Sequence, residues 1–317
     1  MEKLPSDLKN IITDYVIFKP ETKEEIKTAV DLWCENKEEA LKKYGHISNW
    51  NTSLIEDMSE LFYIKWTFSY FNDDISKWDV SNVKNMREMF GLCCCFNQNL
   101  NNWDVSKVTN MILMFTGCDE FNLPLNNWNV ANVKEMNAIF SGCDNFNQPL
   151  HKWDVSKVTN MNYMFASCTN FNQPLNNWNV SNVTSMSGVF EKAESFNQDI
   201  SNWDVSNVTN MENMFYRCKI FNQPLNKWNV SNVKNMYSMF CDCESFNQPL
   251  NKWNVSKVKN MANLFRNCKI FKQDLNDWNV VDTTQMSRIF HGASLFPSLE
   301  NARWYSWVTN AEDFSDY

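Results

Sequence analysis

The chain has 317 residues, a formal net charge of −8 and a hydrophobic content of 44%. An acidic chain without a block of Lys and Arg binds phosphate backbones poorly, which excludes nucleic-acid recognition as its function. Its apolar runs stay well short of the roughly 18 residues that a membrane-spanning helix needs, so no membrane span is predicted.

Residues 1–46 are predicted to form an α-helical N-terminal cap. The opening MEKLPSDLKN lacks the apolar segment of a secretory signal, which predicts a cytoplasmic location. A first helix is expected to begin at Ser6. Its apolar face comprises Leu8, Ile11, Ile12 and Tyr15. Thr22 with Glu25 has the spacing of a capping box and predicts a second helix. The apolar residues of this second helix are Ile26, Ala29, Val30, Trp33, Ala40 and Leu41.

After the cap, a Trp residue recurs with a strict period of 25 residues. Self-similarity at a fixed period of this size indicates a stacked repeat array, predicted for residues 47–300. Residues 301–317 are predicted to be a degenerate C-terminal cap, because Val308–Ala311 echoes Val108–Met111 imperfectly. The recurring residues, predicted to be structural, are Trp78, Trp103, Trp128, Trp153, Trp178, Trp203, Trp228, Trp253 and Trp278.

Each repeat unit is predicted to contain a short strand and a short helix. Trp103 and Val105 alternate with Asp104, which is the pattern of a half-buried strand. Apolar residues then follow at i, i+3, i+4 and i+7, the spacing of one helix face. These residues are Met111, Met114, Phe115 and Cys118. The predicted fold class is an α/β repeat solenoid of about ten coils of short parallel strand plus short helix.

The repeated motif F-N-Q-P-L-N-x-W-x-V-S-x-V-x-N-M-x-x-M-F-x-x-C resembles that of the BspA-like leucine-rich-repeat family. Within it, the chain is most similar to the subgroup catalogued as a mycoplasma protein of unknown function. The resemblance covers residues 47–296 and the preceding segment 32–48. It implies a leucine-rich-repeat-like solenoid, often found on bacterial surface proteins that bind host or matrix proteins, so a surface adhesin is one alternative function.

A second, shorter resemblance lies at the N-terminus. Leu4–Leu8, followed by Ile11, Ile12 and Tyr15, is similar to the opening of an F-box. An F-box would recruit a ubiquitin-ligase adaptor while the repeats hold a substrate. The competing interpretation is a plain capping helix.

The chain contains eleven Cys, several of which recur three residues after the Phe of the helix motif. Stacked units would bring these thiols close enough for disulfides. Ala193 and Ala293 occupy the same position, however, which favours a small buried slot filled by free thiols. Cys93–Cys95 and Cys241–Cys243 lack a second pair at zinc-ligand spacing, so no metal is predicted.

Two further ladders are polar. The residue after each Trp is always Asp or Asn. These side chains could form a row of calcium ligands, or each could bond its own backbone in an Asx turn. The turns are favoured, because the neutral Asn amides are poor calcium ligands. The Asn after the first Phe of the motif, as at Asn72 and Asn97, is expected to pair with loop backbone groups.

The chain carries no recognisable enzyme signature and is predicted to be a non-enzymatic protein–protein interaction scaffold without a cofactor. Solenoids bind proteins through surfaces that vary between coils, and here the positions after each Met, Phe and Cys vary most. The uniform Trp side could instead bind a repetitive ligand through avidity. The candidate partner-facing residues are Arg87, Glu88, Tyr163, Glu212, Tyr216, Arg217, Tyr237 and Arg266.

Overall fold

The computed structural model describes residues 17–63, 69–281, 284–296 and 304. The helix predicted from Ser6, the F-box-like segment that begins at Leu4 and the echo at Val308–Ala311 lie outside the described residues.

The described residues contain two α-helices, both before the repeats. Helix α1 spans Lys23–Glu35 and helix α2 spans Lys37–Tyr44, followed by a 3-10 turn at Ile47–Asn49. The prediction of one continuous helix from Thr22 through Leu41 is therefore wrong.

The break between the two helices lies at Asn36, whose backbone (φ −146°, ψ 81°) is not helical. Its side chain accepts a hydrogen bond from the Glu39 backbone N–H at 3.2 Å, so one residue ends α1 and caps α2. Thr22 caps α1 in the same way, through the N–H of Glu25. Because the break rotates α2 relative to the predicted face, Leu41 is 41% exposed instead of buried.

The helices pack on the first unit of the array through aromatic side chains around Trp50. The rings of Phe18, Trp33 and Tyr44 lie 5.2, 6.0 and 6.1 Å from that of Trp50. On its other side Trp50 stacks on Trp78 at 6.1 Å. Trp50 thereby joins the helical segment to the repeated part of the chain.

The predicted α/β leucine-rich-repeat-like solenoid is wrong, because the repeats contain neither strands nor helices within the described residues. Each unit is a succession of turns. Neighbouring units meet at isolated parallel bridges, such as Asn110 with Glu135 and Glu135 with Asn160. Trp103 and Val105, predicted to be in a strand, lie between two turns.

The segment predicted to be a helix bonds to the next unit instead of to itself. In an α-helix Phe115 N–H would donate to the carbonyl of Met111. It donates to the carbonyl of Ile139 in the next unit, at 2.9 Å. Met111 N–H likewise donates across to Glu135 at 3.0 Å. The intervening N–H groups close tight turns, as Met114 does with the Met111 carbonyl at 3.3 Å.

Left-handed backbone at two positions makes this arrangement possible. With the Trp of each unit as position 0, positions 10 and 14 have positive φ, as in Tyr163 (56°) and Ser167 (57°). A left-handed residue reverses the direction in which the backbone N–H and carbonyl point, so a helix cannot propagate through it. Most of these positions hold residues other than Gly, so the stack supports a conformation that is intrinsically unfavourable by about 1 kcal/mol per residue.

Aromatic rings form columns along the stack. Trp128 and Trp153 lie 6.3 Å apart with their planes inclined by 2°, and Phe115 lies 5.7 Å from Phe140. Inside a unit, Phe115 and Phe121 are 4.5 Å apart. Each ring is buried by neighbours on both sides, which a single unit cannot provide.

The left-handed positions predict opposite effects for two Ala-to-Gly substitutions. Ala138 has a φ of 52° and Ala166 does not have a positive φ, while both are at most 9% exposed. Ala138→Gly is expected to leave the free energy of unfolding unchanged or raise it by up to about 1 kcal/mol, since Gly adopts left-handed backbone freely. Ala166→Gly should lower it by about 1 kcal/mol. Urea unfolding followed by circular dichroism compares the two; equal losses would contradict the assigned backbone.

Candidate interaction surface

The recurring Trp side chains belong to the core. All nine are 2–4% exposed. Their indole N–H groups donate to carbonyls of the preceding unit, as Trp128 does to Leu100 at 2.8 Å and Trp153 to Leu125 at 3.0 Å. With faces stacked and N–H groups paired, these residues are not available to a ligand.

The cysteine ladder consists of free thiols, as predicted. The Sγ of Cys118 donates to the carbonyl of Phe90 at 3.1 Å, and that of Cys143 to Phe115 at 2.9 Å. All eleven cysteines are unpaired. Burial raises the pKa of the Cys118 and Cys143 thiols well above the usual range, so they stay protonated and unreactive.

The Asp and Asn side chains after Trp form Asx turns, which confirms that interpretation. In eight units the side-chain oxygen accepts a hydrogen bond from the backbone N–H two residues later, at 3.0–3.2 Å. Asn279 departs from this pattern and accepts from Val255 N–H. Across the described ranges, no three His, Cys, Asp or Glu side chains are placed to share a metal ion.

The Asn ladder that follows the first Phe binds backbone, as predicted. The Oδ1 of Asn72 accepts from Asn97 N–H at 2.9 Å, and the pattern repeats eight times up to Asn247 with Lys272. A Gln from the next unit adds a second donor, as Gln148 does to Asn122 at 3.0 Å. The side-chain oxygens of these amides are therefore paired inside the stack.

The side chains at positions 9, 10, 13 and 14, which follow the Met and Phe of each unit and vary between units, are here called the variable face. All eight candidate partner-facing residues lie on it. Arg87, Tyr163 and Arg217 are exposed, and the other five are half-buried.

Three of the candidates lie at positions 13 and 14 within three successive units in the C-terminal half of the variable face. The guanidinium of Arg217 lies 5.1 Å from the centre of the Tyr216 ring and its Nε lies 3.4 Å from Asp242 Oδ2. Asn267 donates to the other oxygen of Asp242 at 2.6 Å. Arg266, two units beyond Arg217, has a buried Nε without a hydrogen-bond partner.

Cys241 lies between the two arginines of this cluster. Burial raises the pKa of its thiol to about 12, with a further increase from Asp242 that Arg266 and Arg217 oppose. Tyr216, Arg217, Cys241, Asp242 and Arg266 are called the Arg217 cluster below. It combines an aromatic ring, two cations and one carboxylate over two neighbouring unit boundaries.

The remaining candidates make other contacts. Arg87 pairs with Glu88 near α1. Tyr163 is 40% exposed and covers Gly188, where an added Cβ would lie 2.4 Å from its ring. Glu212 accepts a hydrogen bond from Asn235 at 2.9 Å, and the same Asn235 side chain accepts from the Tyr237 backbone.

Sequence reasoning missed a groove of about 850 Å³ between α1 and the variable face. Its lining includes Lys27, Asp31 and Cys34 from α1 and Tyr63 and Arg87 from the first units. The charged pair Lys27–Asp31 has i,i+4 spacing, which indicates an exposed side of this helix but not a groove. No sequence signal predicted that α1 lies opposite the variable face.

A profile of the family described as "Mycoplasma protein of unknown function, DUF285" matches the chain three times, at residues 34–152, 124–208 and 198–304. Together these matches cover most of the chain. The chain belongs to this family. No curated protein matches it.

Three successive matches are consistent with the repeats of the mycoplasma family continuing through the whole stack. The link to the broader BspA-like family stays a prediction, as does the surface adhesin that it implies. Among the described residues, no helix is both long enough and apolar enough to cross a bilayer.

Proposed function

We propose that this member of the mycoplasma family is a non-enzymatic scaffold that binds a protein partner through its variable face, centred on the Arg217 cluster. The observation that carries the proposal is that Tyr216, Arg217 and Arg266 lie within three successive units of the variable face, with both arginines acting on Cys241 between them. Tyr and Arg dominate the energetically important centres of protein interfaces.

The uniform side of the stack is a weaker candidate. Its polar groups are already paired inside the array: Asp204 accepts from Ser206 N–H at 3.1 Å, and Asn207 donates to the Ser181 carbonyl at 2.8 Å. A ligand there would have to replace bonds that the fold uses. Among the described residues, the side chains of the variable face form no such repeated pattern of bonds, so they are freer to change between units.

Arg266 indicates the chemistry of the partner. Its guanidinium, together with that of Arg217, places two positive charges around Cys241. A carboxylate satisfies a guanidinium through two parallel hydrogen bonds. The proposed partner therefore presents an Asp or Glu beside an apolar side chain that packs on Tyr216.

Site-specific photo-crosslinking tests the proposal. A benzophenone amino acid is placed at Tyr216 or at Tyr237 on the variable face, and at Asp204 as the control on the uniform side. The full-length protein is irradiated in lysate of the cells that produce it, and adducts are identified by mass spectrometry. The same protein should be recovered from both Tyr positions and not from Asp204.

Arg266→Ala should weaken binding of the recovered partner by about 2 kcal/mol, roughly 30-fold, because the carboxylate loses its bidentate contact. Lys157→Ala, on the uniform side, is the matched control and should leave the affinity unchanged. Recovery of a partner from Asp204 alone, or equal affinities for Arg266→Ala and the unmodified protein, would contradict the proposal.

A further inference from the structure

Cys94 and Cys95 form a pair of adjacent thiols on the outside of the stack. They are the central residues of a turn that is closed by a 3.0 Å hydrogen bond from Phe96 N–H to the Cys93 carbonyl. Both side chains are half-buried, and their Sγ atoms lie 3.6 Å apart. Cys93 itself points into the core and is fully buried.

The repeat shows that packing does not require Cys at these two positions. Position 15 holds the buried cysteine ladder, but positions 16 and 17 lie outside it. In the other units this pair of positions is occupied by Asp119–Glu120, Asp144–Asn145, Thr169–Asn170, Glu194–Ser195, Lys219–Ile220, Glu244–Ser245, Lys269–Ile270 and Ser294–Leu295. The other units fill these positions with polar, charged or aliphatic residues. Core packing therefore does not explain why this unit has two thiols there.

Formation of a disulfide between them is unfavourable. Consecutive Cα atoms are about 3.8 Å apart, whereas disulfides need Cα atoms about 4.4–6.8 Å apart. An ion bonded to both sulfurs bridges them without a direct S–S bond, so the short Cα–Cα distance is no longer an obstacle. Two sulfur–ion bonds of about 2.3 Å span about 3.3–3.8 Å between the sulfurs at angles of about 90–110°, a range that includes the observed 3.6 Å.

We propose that Cys94 and Cys95 are a bidentate binding site for soft, thiophilic ions that are satisfied by two thiolates, such as trivalent arsenic carrying one organic group. Thiolates select soft ions over Mg²⁺ or Ca²⁺. Burial, Cys95 and the charge of Asp119 in the next unit raise the pKa of the Cys94 thiol, so its proton leaves only as the sulfur–ion bond forms. The site is separate from the Arg217 cluster and does not depend on its function.

The binding step is balanced without an oxidant. With phenylarsine oxide, two As–S bonds form and two S–H bonds break. The arsenic–oxygen bond also breaks, and the oxygen leaves with the two thiol protons as one water molecule. Arsenic stays trivalent and both sulfurs keep their oxidation state.

Intact-protein mass spectrometry of the full chain with phenylarsine oxide tests the site. One adduct per chain is expected, stable to a monothiol and released by a dithiol, because only a chelating pair of thiols resists exchange with a monothiol. Cys94→Ser and Cys95→Ser should each abolish the monothiol-resistant adduct. Both variants should fold, since Thr169 and Ser195 occupy the equivalent positions in other units.

Two control variants remove other thiols. Cys34→Ser deletes an exposed thiol, and Cys241→Ala deletes one that is 4% exposed. Each should retain the single resistant adduct, and circular dichroism verifies that all variants are folded. The proposal is overturned if no resistant adduct forms, or if it survives in Cys94→Ser or Cys95→Ser.

Discussion

Replacing Trp178 by Ala is expected to lower the free energy of unfolding by about 3–5 kcal/mol, the usual cost of truncating a large buried aromatic residue. The Trp178 ring lies 6.1 Å from Phe165 and 6.5 Å from Trp203, so the truncation leaves a cavity bordered by two units. It also removes the indole N–H that donates to the Leu150 carbonyl at 3.2 Å.

Tyr163→Ala is the matched control, because Tyr163 is an aromatic residue 40% exposed on the variable face. Its loss should change the free energy of unfolding by less than about 1 kcal/mol. Urea unfolding monitored by far-UV circular dichroism measures both variants without depending on Trp fluorescence. Similar losses for Trp178→Ala and Tyr163→Ala would mean that the inward and outward sides are wrongly assigned.

Deleting residues 153–177, one whole unit, is expected to leave a folded and shorter stack. Every contact across the junction is replaced by its equivalent from the next unit. Phe140 N–H donates to the Met164 carbonyl at 3.1 Å and, after the deletion, would donate to the Val189 carbonyl. Asn147, which accepts from Asn172 N–H at 3.0 Å, would accept from Asn197. In a repeat array each unit contacts only its neighbours, so the loss in stability is that of one unit.

The control is a shorter deletion, of residues 153–165, which breaks the register. It places turn residues beside the Trp column and leaves inter-unit donors without carbonyls on both sides of the junction. This variant should fail to fold or should aggregate. Size-exclusion chromatography and thermal unfolding distinguish the two deletions. If the 153–165 deletion folds, or if the 153–177 deletion does not, then units do not stack through equivalent residues.

The sequence predicted which side chains point inward but not the backbone that carries them. Met111, Met114, Phe115 and Cys118 are all fully buried, as the i, i+3, i+4, i+7 spacing indicates. The same spacing results from consecutive turns, because both conformations return the chain to one side every three to four residues. Periodicity alone therefore cannot separate a helix from this arrangement.

A signal for the turns was present in the glycines. Four of the six Gly residues lie at left-handed positions of the units, namely Gly117, Gly142, Gly188 and Gly292. The signal is weak because other units place residues such as Leu113 or Lys192 at these positions. Here the inter-unit hydrogen bonds override local preference.

The candidate surface was partly predictable for a similar reason. Comparison between units located the variable positions, since the repeat acts as an internal alignment. The proximity of Arg217, Asp242 and Arg266 depends on how units stack, which one unit's sequence does not contain. The groove beside α1 depends on how that helix packs against the first units, which helix periodicity does not predict.

The hydrogen bonds between units also determine how the molecule responds to tension. They run along the direction in which units stack, so a force that pulls the two ends apart acts on the unit boundaries in series. The weakest boundary opens first, and each released unit of 25 residues adds roughly 80–90 Å of extended chain. The stack can therefore lengthen in discrete steps while the units that remain closed keep their shape.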